Sequence, residues 1–65
     1  MRYDAHILGE DRPRVIHVDK DSDQEAIAWA NAQWEGAHWT TMAGGFRLLR
    51  ENGAIILTRR RYRLA

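Results

Sequence analysis

Asn52 and Gly53 stand between two apolar runs, Phe46-Arg47-Leu48-Leu49-Arg50 and Ala54-Ile55-Ile56-Leu57. No other signal in the chain restricts its folding as much. Both central positions of a type I′ turn need positive φ, which Asn and Gly tolerate, so the pair predicts a tight antiparallel hairpin. A two-residue loop sets Arg50 opposite Ile55, Leu48 opposite Leu57 and Phe46 opposite Arg59 on one face. Leu49 opposite Ile56 and Arg47 opposite Thr58 make the other face, so aliphatic side chains fall on both.

Residues 2 to 8 alternate, with Tyr3, Ala5 and Ile7 on one side and Asp4, His6 and Leu8 on the other, the period of a half-buried strand. Gly9-Glu10-Asp11-Arg12-Pro13 supplies turn residues, and Val15-Ile16-His17-Val18 follows with β-branched side chains, which predicts a first hairpin. Ser22-Asp23-Gln24-Glu25 reads as a capping box, the Ser hydroxyl accepting from the third helical N–H and the Glu returning to the cap's own N–H. From there Ala26, Ile27, Trp29, Ala30, Gln33 and Trp34 share one sector, and Gln24, Glu25, Ala28, Asn31, Ala32 and Glu35 the opposite one. Gly36 is placed to end the helix in a left-handed conformation. Beyond it, Ala37 to Met42 reads as a further strand and Gly44-Gly45 as a turn. The expected fold class is α+β: an antiparallel sheet of four or five strands with one amphipathic helix packed on it, ββαββ or ββαβββ.

A chain of 65 residues forms one domain, spanning 1–65, with no internal repeat or linker. It has no cysteine, so neither a disulfide nor a thiolate metal site staples it, and stability rests on one small core or on a partner. The longest aliphatic run, Ala54 to Leu57, falls far short of the roughly 20 residues a membrane helix needs. Met1-Arg2-Tyr3-Asp4 does not open a signal peptide, which leaves a soluble, cytoplasmic protein as the expectation. One helix covers one side of a sheet. Leu8, Leu49 and Ile56 are then left on the other, either inside a curled sheet or as a dimer or partner surface, giving a monomer or a weak homodimer.

The formal net charge of +1 hides a sorting along the chain. Residues 1 to 35 carry −4 and residues 36 to 65 carry +5. Folding the halves together either makes two faces of opposite sign or neutralises them across paired strands.

Asp19-Lys20-Asp21-Ser22-Asp23 opens like a calcium loop, but the sixth position is Gln24 instead of Gly and the twelfth is Ala30 instead of Glu. Asp21, Asp23 and Glu25 are accounted for by the positive end of the helix dipole. His6, His17 and His38 have no i, i+4 helical spacing, so no metal site is expected. With no nucleophile beside a base, no glycine-rich phosphate motif and little room for a pocket of several hundred Å³, no enzyme and no cofactor are expected either.

Trp34 lies centrally in the apolar sector and reads as core, while Trp29 at its edge either flanks the core or anchors a partner. Arg59-Arg60-Arg61-Tyr62-Arg63 is the most basic segment and interleaves an aromatic, as single-stranded nucleic-acid binders do. In a strand Arg59, Arg61 and Arg63 line one face, with Arg60 and Tyr62 on the other, and the same charge serves equally to meet the acidic hairpin or to guard an edge strand.

In plan the whole chain resembles the small phage-encoded anti-CRISPR proteins, in particular inhibitors of the type I-C surveillance complex. The likeness lies in one cysteine-free domain, one capped helix from Ser22 to Glu35, flanking hairpins, and acids at Asp4, Glu10, Asp11, Asp19, Asp21, Asp23, Glu25 and Glu35. It implies a stoichiometric blocker in the bacterial host cytoplasm. Its acidic surface, with Trp29 beside it, would occupy a basic DNA-binding subunit of a CRISPR complex in competition with target DNA. The alternative is a small nucleic-acid-binding accessory protein working through Arg59 to Arg63.

Overall fold

The computed structural model describes residues 1–9, 14–36 and 44–60. Within them the chain runs β1 (Arg2–Leu8), β2 (Arg14–Asp19), α1 (Asp23–Glu35), β3 (Gly45–Arg50) and β4 (Ile55–Arg60), an α+β domain of ββαββ plan. The strand expected over Ala37 to Met42 lies outside the described residues. The strands form one antiparallel sheet in the order β2-β1-β3-β4. β2 and β3 therefore point the same way on either side of β1, and α1 makes the crossover between them, a split βαβ arrangement.

The alternation in β1 explains its central place. Tyr3, Ala5 and Ile7 are buried against the helix, joined there by Phe46 and Leu48 of β3. α1 contributes only Ala26 and Ala30 to the buried set, one above the other at i and i+4, so its backbone can approach the sheet closely. Ile27, Trp29 and Trp34 are half-buried along its flanks, the Trp34 ring resting on Phe46 with centroids 5.6 Å apart and planes tilted by 53°. Trp34 is thus at the edge of the core instead of inside it, and Trp29 packs on the core too.

Both ends of the helix depart in detail from the expected caps. Ser22 is the N-cap and its Oγ accepts from the Glu25 N–H at 3.2 Å. The Glu25 carboxylate, however, returns to the Asp21 N–H, one residue before the cap. Gly36 has φ −76°, not a left-handed value, because its N–H still donates to Ala32 O and continues the helical ladder.

The second hairpin has the expected partners from Phe46 to Leu48 but a different loop. The Gly53 N–H donates to Arg50 O and the Arg50 N–H to Ala54 O, which makes a three-residue loop with Gly53 at φ 91°, the pattern of a turn followed by a glycine bulge. Asn52 adds its side chain, whose Oδ1 accepts from the Ala54 N–H at 3.0 Å. The extra loop residue is absorbed by a bulge between Leu48 and Leu49, so Leu49 pairs with Ile55 and not with Ile56. Ile56 then packs with Leu57 against the core, and Ile55 replaces it on the far face. Gly45 is a strand residue, not a turn residue. A Cβ there would stand 2.3 Å from the Arg59 carbonyl oxygen, so only glycine lets β3 and β4 meet this closely.

Candidate functional site

On the helix side, Tyr3 and Arg50 are direct cross-strand partners, and both reach Asp23 at the first turn of α1. The Tyr3 hydroxyl donates to Asp23 Oδ1 at 2.7 Å. Arg50 Nε donates to both carboxylate oxygens, at 3.2 and 3.0 Å, and Nη2 donates to Oδ2. Hydrogen bonding to Arg50, then to Tyr3, holds the Asp23 carboxyl below its usual range. Burial, reinforced by the hydrogen bond to Asp23, pushes the Tyr3 phenol up to about 12. An open cleft of about 670 Å³ lies here, walled by Met1, Tyr3, Ser22, Asp23, Arg50 and Asn52 among others. It exceeds the pocket space expected of a one-helix domain, but Tyr3, Asp23 and Arg50 already satisfy one another across it. Farther along α1, Arg59 Nη1 donates to Asn31 Oδ1 at 3.0 Å and stands 3.6 Å from Glu35 Oε1.

On the opposite face the register aligns Arg2, Asp4, His6 and Leu8 of β1 with Val15, His17 and Asp19 of β2. Arg47 and Leu49 of β3 follow on the other side, then Ile55, Thr58 and Arg60 of β4. Among the described residues no element packs on this face. Val15 and Ile55 are 44% and 55% exposed. Asp4 Oδ1 lies 2.6 Å from His17 Nδ1 and 3.5 Å from Arg2 Nε. So short a contact to a carboxylate requires a proton on Nδ1, and the approach of Arg2 Nη2 to that nitrogen, at 3.2 Å, is then not a hydrogen bond. The bond from His17 holds the Asp4 carboxyl below its ordinary range, against a smaller opposing effect of burial.

Among the described residues, the acids named from sequence do not gather into one patch. Asp4 and Asp19 are on the open face, while Asp23, Glu25 and Glu35 follow the helix on the other side. Asp4, Asp23 and Glu35 each face a cationic or imidazole partner, and Glu25 completes the cap. Asp19 and Asp21 are exposed and form no ion pair among the described residues. Glu10 and Asp11 lie outside those residues, as do Arg61, Tyr62 and Arg63. The alternation expected of the basic segment appears where it is described, Arg59 turning to the helix and Arg60 to the open face. His6 pairs with Val15 and His17 with Asp4, so the two histidines are not cross-strand partners. Among the described residues no group of three or more His, Asp or Glu is placed to hold a metal ion. Nor is any helix among them long and apolar enough to cross a membrane.

Tyr3, Arg50, Arg47 and His17 were not legible as site residues. Each acquires its partner or its face from strand register, and the pairing of β1 with β3 leaves no local mark in the sequence. Comparisons with family models, with curated proteins and with solved structures find no match.

Proposed function

We propose that the protein is a non-enzymatic binding domain that holds nucleic acid on the open face of its sheet. One observation carries this reading. Arg47 and Arg60 lie on that face on adjacent strands, and among the described residues neither forms an ion pair, whereas Arg50 and Arg59 on the helix side are engaged by Asp23 and Glu35. Arg60 is two residues past Thr58, the partner of Arg47, so the pair is diagonal, with about 7–8 Å between backbones, and presents two cations side by side. Asp4, the acid nearest the centre of the face, is already matched by His17 and Arg2.

The test is fluorescence anisotropy of a labelled oligonucleotide titrated with protein at several salt concentrations. Binding in the micromolar range, weakening linearly on a log–log salt plot, is expected. The Arg47→Ala/Arg60→Ala variant should flatten that slope by about 0.7 per arginine on a single strand. No binding, or an unchanged slope in the variant, overturns the reading.

A second reading is favoured by Asp19 and Asp21, which are exposed without ion pairs among the described residues, Asp21 standing beside the exposed Glu25. This acidic corner would occupy a basic DNA-binding surface on another protein, as the resemblance to anti-CRISPR inhibitors implies. It ranks second because three of the acids it would use are matched by cationic or imidazole partners. Under it the protein binds no oligonucleotide, and forms a complex with a surveillance-complex subunit that Asp19→Asn/Asp21→Asn abolishes.

A further inference from the structure

We infer that the open face takes single-stranded rather than duplex nucleic acid, a step that rests on the binding reading above. The first ground is the composition of the face. Leu8, Val15, Leu49 and Ile55 share it with the arginines, and Val15 and Ile55 are the described interior-type strand side chains left most exposed. A duplex turns its phosphates outward and hides its base faces, so these aliphatic groups gain nothing from it. A single strand has unstacked bases that cover apolar surface while its phosphates meet cations.

The second ground is how the two kinds of side chain are interleaved. Arg47 and Leu49 alternate along β3, the cross-strand row through Leu49 running from Asp4 to Ile55 and the row through Arg47 from His6 to Thr58. The cation of Arg47 and the apolar pair Leu49 and Ile55 thus lie one strand period apart, about 6.8 Å at two residues. Shape is the third ground. Four strands make a surface about 14 Å across between the outer strand axes, three spacings of about 4.8 Å. That is wider than the about 12 Å major groove, and among the described residues no helix projects from this side to enter one.

Two labelled deoxyoligonucleotides of the same length and mixed sequence, one single-stranded and one annealed to its complement, separate the possibilities by anisotropy at one salt concentration. The single strand should bind at least about tenfold tighter, a difference of about 1.4 kcal/mol. Ile55→Ser should weaken single-strand binding about fivefold while leaving the salt slope unchanged, because the slope counts phosphate contacts. Its side chain is more than half exposed, so the core is untouched, and Val15→Ser at the far edge provides a second variant of the same kind. Equal or tighter binding of the duplex, or no effect of either serine variant, overturns this inference and leaves the functional reading standing. Binding of neither probe overturns both.

Discussion

Asp23 ties three segments together, because the first turn of α1, the start of β1 through Tyr3 and the end of β3 through Arg50 all converge on one carboxylate. The same contacts make stability depend on pH in two windows. Asp23 and Asp4 titrate lower in the folded chain than the about 3.9 of a free aspartate. Their contribution is therefore present above that value and is lost as pH falls through the folded values. Urea midpoints should drop on acidification below about pH 4, and the drop should shrink in Asp23→Asn, whose midpoint at neutral pH is already lower. An equal acid loss in that variant would show that the contact carries none of it. For Tyr3 the sign reverses in direction of pH. Its folded value of about 12 lies above the ordinary 10.0 of a tyrosine, so its contribution is complete below pH 10 and is lost as pH rises through 12. In a Tyr62→Phe background, phenolate absorbance should grow in near 12 for the folded protein; growth near 10 would refute the burial of this hydroxyl.

At the scale of elements, the turns and caps do the selecting, and they do so by different means than their residue types alone announce. Ser22→Ala removes the acceptor for the Glu25 N–H and should cost about 1 kcal/mol by thermal or chemical denaturation. Gly45→Ala should cost more, about 1–3 kcal/mol, since the new methyl meets backbone of β4 and not a side chain that can swing aside. A neutral Gly45→Ala would mean that the two strands are not held this close. Legibility follows the same line. Alternation at Tyr3, Ala5 and Ile7, the serine cap and the Asn52-Gly53 loop are local signals, and each marked its element. The glycine bulge was hidden because Asn52-Gly53 suits both a two-residue loop and a three-residue loop that ends on a positive-φ glycine, and the compensating bulge at Ile56 restores the outer register. Tyr3–Asp23–Arg50 and the content of the open face depend on β1 pairing with β3, which is a property of tertiary packing.

For the whole molecule, the charges that are sorted along the chain are mixed on both faces of the sheet, and the two faces divide the work. The helix side holds the buried residues and the matched pairs Asp23–Arg50 and Glu35–Arg59, so it bears most of the stability. The open face carries Arg47 and Arg60 without ion pairs among the described residues, and its aliphatic groups remain in contact with water. Neighbours in one strand should therefore respond differently to truncation. Leu48 is fully buried, and Leu48→Ala should cost about 2–5 kcal/mol. A chain of this size has in total about 3–10 kcal/mol of stability, at roughly 0.05–0.15 kcal/mol per residue, so this variant should lose a large share of it and melt at a much lower urea concentration. Leu49, one residue on, points to the open face and is only half-buried, so Leu49→Ala should stay folded with a loss nearer about 1 kcal/mol. Urea melts of the two variants decide the matter: comparable losses would mean that both faces of the sheet are closed in solution, and the binding surface assigned to Arg47, Ile55 and Arg60 would then have no room for a ligand.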